Sequence, residues 1–294
     1  MAKGPERITV RKTYKLYVGG AFPRTESGRY MVARDAKGEI VANVCRASRK
    51  DFRDAVVVAR KAQAGWAGRT AFNRGQIMYR MAEMLESRAA VFEAALVGAA
   101  GMSAKAAAEE VGAAVDRLVW YAGWADKFPQ FMGTTNPVAS AHFNFTFPEA
   151  TGVVTAFAAE GSALLGLISA IAPVIVSGNS VIAIVSGPAP TVAMEFAEVL
   201  ATSDLPGGVV NILTGLRDEL APHVAKHMDV DGILCVGADA ATRKLIATEG
   251  AESVKRLQFE DDGDVAHWLD DARQSPYCIV PFVELKTAWH PMGV

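Results

Sequence analysis

The carboxyl-terminal half of the chain alternates apolar, strand-like segments with helical segments, and this alternation most restricts the possible fold. Five strand-like segments follow one another from Gly152 onward: "GVVTAFA", "NSVIAIV", "GVVNILTG", "DGILCVG" and "VKRLQFE". Helical stretches of crossover length separate them, which is typical of parallel strands joined by helices. The sequence therefore predicts an α/β fold with a doubly wound parallel sheet.

The first part of this region, residues 152–186, is apolar enough to resemble a membrane span. Glu160, Pro173 and Asn179 interrupt it at intervals shorter than a bilayer crossing needs. A buried strand-helix-strand unit explains the run better, because parallel strands covered on both faces are continuously apolar. We therefore expect no membrane partner.

Charge and cysteine content restrict the partner and the compartment. Thirty Lys and Arg residues stand against thirty-two Asp and Glu residues, without a basic cluster, which argues against nucleic acid. Cys45, Cys235 and Cys278 are far apart and odd in number, so they indicate neither a disulfide framework nor a zinc site. The opening "MAKGPERITVRKTYK" lacks the apolar region of a signal peptide. These features predict a cytoplasmic protein.

The amino-terminal half begins with a small β region and continues with helices. "YKLYVGGAF" and "GRYMVARDAKGEIVANV" read as short strands around glycine turns. Apolar residues at three-and-four spacing then predict amphipathic helices at 51–63, 71–90, 92–100 and 104–125.

Two segments outside the parallel sheet alternate apolar and polar residues with a period of two. They are "AHFNFTF" and the tail "YCIVPFVELKTAWHPMG". Their apolar positions are Phe143, Phe145, Phe147, Val283, Leu285 and Trp289. Both segments are candidates for exposed strands. A hairpin within the molecule and a strand shared between subunits explain the pattern equally well.

Several longer motifs carry a resemblance to a known family. They are "LYVGGAF", "GEIVANV", "VARKAQAGWAGRT", "YAGWADK", "IAPVIVSGNSVIAI", "LPGGVVNILTG" and "HMDVDGILCVGA". In order and spacing they resemble the amino-terminal and cofactor-binding portions of the aldehyde dehydrogenase superfamily, from Tyr14 to about Gly263. The tail "VELKTAWHPMG" is similar to the extreme carboxyl end of such enzymes.

The resemblance implies a Rossmann-like sheet with amino-terminal helices and a small β flap for oligomerisation. Residues 1–141 and 151–263 then form a degenerate cofactor-binding domain with its helical layer. Residues 142–150 and 276–290 form the flap, and residues 264–275 form a short linker in place of the catalytic domain.

That catalytic domain has no room in this chain. In the family it lies between the strand that ends in a glutamate and the terminal strand, but only "DDGDVAHWLDDARQSP" separates Glu260 from Tyr277 here. The family's nucleophilic cysteine, held in a Gly-Gln-Cys type loop, is absent with it. We expect Cys278 in a strand-like run without a neighbouring His, Lys or Arg, and therefore in a packing role.

The resemblance also implies that the substrate and ribose contacts are lost. The family's Pro-Trp-Asn turn, whose Asn holds the oxyanion, falls on Ala159, Glu160 and Gly161, and glycine offers no side-chain donor. The ribose-binding Lys falls on Ile184, and the glutamate shortly after it falls on Gly187.

The pyrophosphate turn is altered as well. It reads Gly237-Ala238 and is followed by Asp239, whose charge competes with phosphate for the helix amino terminus. Glu260 falls on the general-base position but has no nucleophile to serve. We therefore expect no intact catalytic residue, no intact cofactor contact and no bound NAD.

Two functions remain open at this point. The first is a pseudoenzyme that assembles through its flap with itself or with an active aldehyde dehydrogenase subunit, similar to the degenerate second copy of the fold in some aldehyde dehydrogenases. The alternative is an NAD(P)-dependent aldehyde oxidoreductase or a nucleotide binder with a divergent site. His223 and His227 have i, i+4 spacing but no third ligand nearby in the sequence, so we expect no metal.

Overall fold

Three sheets and ten helices make up the part of the chain that the computed structural model describes, residues 10–293. In chain order the elements are β1 (Thr13–Tyr14), β2 (Tyr30–Arg34), β3 (Ile40–Cys45), α1 (Arg49–Ala67), α2 (Ala71–Glu86), α3 (Ala89–Ala100), α4 (Ala104–Trp124), α5 (Phe128–Met132), β4 (Thr134–Asn136), β5 (His142–Ala150), β6 (Val153–Phe157), α6 (Leu165–Val176), β7 (Ser180–Val185), α7 (Pro190–Leu200), β8 (Val210–Thr214), α8 (Arg217–Lys226), β9 (Gly232–Val236), α9 (Ala240–Ala251), β10 (Arg256–Glu260), α10 (Val265–Leu269) and β11 (Val283–Pro291). Residues 1–9 of the segment used for the signal-peptide prediction lie outside the described residues.

The doubly wound sheet predicted from the alternation is confirmed. Its five strands are all parallel and have the order β10-β9-β6-β7-β8. Strand side chains alternate between two apolar layers: Val154 and Ala183 face the layer with α2, α4, α6 and α7, whereas Phe157 and Ile184 face the layer with α1 and α8. Burial on both faces explains why these strands contain almost no charged residues.

The four long amino-terminal helices form close to where their periodicity places them, and polar caps set three of their starts. Ser48 accepts hydrogen bonds from the first turn of α1 and forms a capping box with Asp51. Thr70 and Ser103 also accept hydrogen bonds from the first turns of α2 and α4, without the reciprocal bond of a capping box. Gly101, with a φ of 70°, ends α3 in the left-handed region that favours glycine.

The small amino-terminal β region differs in part from the prediction. Of the stretch "YKLYVGGAF", only Tyr14 belongs to a strand; Tyr17 forms an isolated bridge to Ile212, next to the parallel sheet. "GRYMVARDAKGEIVANV" does form the antiparallel pair β2 and β3. The first stretch therefore serves to join the β region to the main sheet.

The two alternating segments pair within the molecule. β5 lies between β4 and β11 in a three-stranded antiparallel sheet, which we call the flap sheet. The two alternating segments are thus neighbouring antiparallel strands within the chain. Strand β4 was not predicted, because its three residues are too few to show a period.

The register of the flap sheet corrects the expected apolar surface. Leu285 stands opposite Pro148, and Trp289 stands opposite Asn144, so both point away from the face that carries Phe143, Phe145 and Phe147. The three phenylalanine rings form a ladder with centroid spacings of 5.3 and 5.9 Å. The flap therefore has two separate apolar faces.

The start of the tail was also predicted wrongly. Residues 276–282 form two 3-10 turns, Pro276–Cys278 and Val280–Phe282, and only then does β11 begin. Val283, expected on an exposed interface, is 3% exposed and lies in the main core with Ile279 and Phe282. Pro276 and Pro281 favour these turns, since each fixes φ and lacks an N–H for strand pairing.

Candidate functional site

The candidate site lies where the strand order of the parallel sheet reverses. The chain runs from β6 outward to β7 and β8, and then returns to add β9 on the other side of β6. In open parallel sheets, ligands bind at the carboxyl ends of the two strands on either side of such a switch point. The loops after β6 and β9 therefore form the expected cofactor crevice, and they contain Gly161 and Gly237.

A carboxylate of the chain itself occupies the loop after β6. Asp262 accepts hydrogen bonds from the backbone N–H of Glu160, at 2.7 Å, and of Gly161, at 3.3 Å. Gly161 lies so close to Gly263 that a Cβ at position 161 would overlap the Gly263 carbonyl oxygen. An asparagine donor does not fit at this position without moving the segment that contains Asp262.

The helix that follows this loop, α6, is capped from a distant helix. Glu110 of α4 is fully buried and accepts hydrogen bonds from the N–H groups of Leu164 and Leu165 and from the hydroxyl of Ser162. These N–H groups are ones that a helix leaves without partners of its own. The positive end of α6 is thereby satisfied by a protein carboxylate.

The loop after β9 shows the same arrangement. Gly237 has a φ of 66°, which allows the tight turn, and Asp239 caps α9 by accepting from the N–H of Thr242 at 2.7 Å. This backbone hydrogen bond lowers the pKa of Asp239. A carboxylate therefore lies at the helix terminus to which the resemblance assigns the pyrophosphate turn.

Arg217 spans the crevice between these two loops. It donates to the carbonyl oxygens of Gly237, at 2.9 Å, and of Ala158, at 3.2 Å, and lies 3.6 Å from the Glu160 carboxylate. Its side chain is only 12% exposed. Sequence reasoning missed Arg217 because α8 brings it to the crevice from beyond β8, and no motif marks it.

The position that corresponds to the ribose-binding lysine is part of the core. Ile184, the penultimate residue of β7, is fully buried and stands between Phe157 of β6 and Leu213 of β8. Gly187 lies against Glu160, because a Cβ there would be 3.2 Å from the Glu160 Cα. Neither position presents a polar side chain to a ligand.

An open cavity of about 340 Å³ remains beside Arg217. It is lined by Glu160, Ser186, Leu216, Arg217, Asp218, Gly237, Asp239 and Thr242. Three of these residues are acidic and one is basic, which disfavours a ligand with two phosphates.

Glu260, the last residue of β10, lies close to Cys278 in a turn that precedes β11. Both line a small cavity of about 40 Å³ together with Arg273, whose guanidinium is 3.5 Å from the Glu260 carboxylate. Burial raises the pKa of Glu260 and of the Cys278 thiol. A thiol with a raised pKa is a weak nucleophile at neutral pH.

The setting of Cys278 differs from the expectation. It lies in a 3-10 turn rather than a strand, and Arg117 is close enough to act on its charge. The dominant effect is nevertheless burial, which keeps the thiol protonated. Cys278 packs against the main core, in agreement with the packing role predicted for it.

The short segment between β10 and β11 packs tightly on the helical layer. Trp268 is buried beside Gly166 of α6. The guanidinium of Arg117 donates to the carbonyl oxygens of Trp268, at 2.8 Å, and Arg273, at 2.9 Å. We call residues 261–282, which join β10 to β11, the connector.

Two further observations concern metal ions and membranes. In residues 10–293, no group of three or more His, Cys, Asp or Glu side chains lies close enough together to hold a metal ion. His223 and His227 therefore have no third ligand within that range. No helix in the same range has both the length and the apolar character needed to cross a membrane.

Comparison with known proteins gives a consistent family match. The model of the aldehyde dehydrogenase family matches residues 22–273. The curated protein named "Putative aldehyde dehydrogenase DhaS", from Bacillus subtilis, is 27% identical over 280 residues, which cover 94% of this chain and 54% of that protein. This chain thus spans about half the length of the curated relative it matches.

Solved structures show the same fold over a similar share. The NAD+ complex of an aldehyde dehydrogenase from Bacillus cereus is 24% identical and superposes with a TM-score of 0.80, covering 85% of this chain and 51% of that one. HpcC from Thermus thermophilus is 25% identical, again with a TM-score of 0.80, and covers 85% and 48% of the two chains.

Proposed function

Because the chain belongs to the aldehyde dehydrogenase family, we propose that it is a non-catalytic member that acts by assembly, either with a second copy of itself or with an active aldehyde dehydrogenase subunit. It resembles the degenerate second copy of the fold rather than a complete enzyme. The connector of residues 261–282 leaves no room for a catalytic domain between β10 and β11.

One observation carries this proposal: the chain's own side chains occupy the groups that would bind the cofactor. Glu110 satisfies the start of α6, Asp262 satisfies the loop after β6, and Asp239 satisfies the start of α9. Backbone N–H groups at helix termini are what bind phosphate in such folds. NAD would have to displace carboxylates that the fold already holds in place.

The alternative of an oxidoreductase or nucleotide binder requires a nucleophile and an anion-binding crevice. The two candidate groups, Cys278 and Glu260, share a cavity of about 40 Å³, which is smaller than a substrate needs. The larger cavity beside Arg217 is predominantly acidic. Both observations favour the non-catalytic function.

The three cysteines are free in the folded chain, with Cys45 and Cys235 buried. Burial raises the pKa of Cys235 to about 11, so this thiol is unreactive. Free thiols in the core agree with a reducing compartment, and we propose the cytoplasm.

The first prediction is that the purified chain does not oxidise short aliphatic aldehydes with NAD or NADP. The expected turnover is indistinguishable from a protein-free blank, whereas ordinary enzymes turn over at about 10 per second. Cofactor reduction followed at 340 nm measures this, with an active aldehyde dehydrogenase as the positive control. Turnover that disappears in a Cys278→Ala variant would contradict the proposal.

The second prediction is that NAD binds weakly. The ribose-binding lysine is absent and a carboxylate occupies the helix terminus. Together these two changes weaken the free energy of NAD binding by about 2–4 kcal/mol, or about two to three decades in affinity. Isothermal calorimetry with NAD at millimolar concentration checks this, with the same positive control. A micromolar dissociation constant for this chain would favour the nucleotide-binding alternative.

A further inference from the structure

The strand β11 is the long open edge of the flap sheet. It forms nine registered pairs with β5 on one side, and no strand in the described part of the chain pairs with its other side. The nine residues extend over about 30 Å. Leu285 and Trp289 on this strand are 57% and 58% exposed. Such an edge is a template for another strand.

The usual protections of an edge strand are weak in β11. Its pairing with β5 is continuous, without a bulge, and its one proline is Pro291, the last residue. Its one lysine, Lys286, is ion-paired with Glu149 of β5, so its charge is balanced within the flap sheet. The opposite edge of the sheet is β4, which has only three residues. The extended edge available for pairing is therefore β11.

The sequence of β11 is complementary to itself when it is read in opposite directions about Thr287. In an antiparallel pair with Thr287 opposite Thr287, Leu285 stands opposite Trp289, and Glu284 stands opposite His290. Each of these pairs occurs twice because of the symmetry. Aliphatic-aromatic pairs are among the cross-strand combinations that stabilise sheets, and the Glu284 carboxylate can accept a hydrogen bond from the His290 ring.

We propose that β11 pairs antiparallel with β11 of a second copy of this chain about a two-fold axis through Thr287. This inference rests on the proposed function and names its partner. The pairing joins two three-stranded flap sheets into one continuous sheet and covers Leu285 and Trp289 of both copies on one face. On the other face, Lys286 stands opposite the small Ala288, so its side chain keeps its position over Glu149.

A symmetric disulfide tests this register directly. In the proposed pair the two Thr287 Cα atoms lie about 4.5–5.5 Å apart, within the range of a disulfide. The two Lys286 Cα atoms lie on a diagonal, about 7–8 Å apart, outside the usual range. Under mild oxidation we expect Thr287→Cys to give a covalent dimer in non-reducing electrophoresis. We expect Lys286→Cys and the unaltered chain, with its native Cys278, to remain uncoupled.

A charge exchange tests the pairing without new cysteines. Glu284→Lys places a lysine opposite His290, and His290→Glu places two carboxylates opposite each other. Each change removes the Glu284–His290 contact at two symmetric positions and is expected to raise the dimer dissociation constant about 10-fold, and the double variant, which places a lysine opposite a glutamate, is expected to restore it. Sedimentation equilibrium measures these constants. The exposed Glu284–Arg256 ion pair is 3.4 Å long and contributes little to folding, so the single variants should remain folded.

An apolar-to-acidic change separates edge pairing from other flap interfaces. Leu285→Asp is expected to weaken the dimer about 100-fold, because two buried pairs are lost. Phe143→Ser is the control: Phe143 is 45% exposed and lies on the face opposite Leu285, and serine adds no charge beside its cross-strand neighbour His290. We expect it to leave the dimer unchanged. Circular dichroism of each variant verifies folding.

The outcomes distinguish this inference from the proposed function. A dimer that Phe143→Ser disrupts, without cross-linking of Thr287→Cys, overturns the edge pairing but leaves assembly through the flap intact. If the chain is monomeric and does not oxidise aldehydes, the edge pairing is also overturned, and an active aldehyde dehydrogenase subunit is then the partner to test. Aldehyde oxidation by a chain that does cross-link at position 287 overturns the proposed function alone.

Discussion

An Ile184→Lys variant is expected to lose about 3–5 kcal/mol of folding free energy and to gain no affinity for NAD. The substitution restores the residue type that the resemblance implies for ribose binding. In this fold, however, Ile184 is fully buried between Phe157 and Leu213, in the apolar layer formed with α1 and α8. A lysine there loses its hydration among apolar neighbours, which is costly for a charge.

Urea unfolding followed by tryptophan fluorescence measures this loss, and calorimetry measures NAD binding. Ile184→Met is the matched control, since it keeps an apolar side chain of similar volume and should cost less than about 1.5 kcal/mol. An Ile184→Lys protein as stable as the unaltered chain, with NAD affinity increased at least tenfold, would show that the crevice is still a cofactor site. The occupied N–H groups around Asp262 and Asp239 argue for the opposite result.

The second large effect is expected from Arg117→Met, with a loss of about 3–5 kcal/mol in the free energy of unfolding. Arg117 is 2% exposed and donates to the carbonyl oxygens of Trp268 and Arg273, the hydroxyl of Ser169 and the side-chain oxygen of Gln274. Burial lowers the pKa of Arg117, but four acceptors compensate its donors. Methionine fills the space and leaves those acceptors without partners.

The connector should also become accessible in the Arg117→Met variant. Limited proteolysis is expected to cut within residues 261–282 faster than in the unaltered chain, before the parallel sheet unfolds. Arg117→Lys is the control: it keeps the charge but not the planar fork that reaches several acceptors, so an intermediate loss is expected. Equal stability of all three proteins would mean that the connector is held by Trp268 and the core alone.

Local patterns in the sequence were sufficient to predict the strands of the parallel sheet and the long helices. Four of the five parallel strands are apolar runs bounded by turn residues, and three of the four long amino-terminal helices have a polar N-cap next to their periodic segment, as with Ser48 and α1. These signals depend on a few neighbouring residues. The order of the motifs then carried the resemblance to the family that the comparisons support. The Asp239 cap was also predictable, because a helix terminus and its N-cap are adjacent in sequence.

The remaining features depend on contacts between distant residues. The alternation in "AHFNFTF" and in the tail revealed two faces in each segment. Only the register of β5 and β11 decided that Leu285 and Trp289 lie on the face of the flap sheet that does not carry the phenylalanine ladder. The same is true of Val283, which is apolar in either setting and lies in the core because the turns at 276–282 pack there.

The sequence by itself determined an α/β chain with a parallel sheet, the family resemblance and the absence of a lysine at position 184, since each is a property of residue type and short-range order. Only the tertiary structure decided what fills the crevice: α8 brings Arg217 to the loops after β6 and β9, and the connector brings Asp262 to the N–H groups of Glu160 and Gly161. The physical reason is that a backbone N–H or carbonyl group must be satisfied wherever the fold buries it, and its partner is chosen by proximity in space.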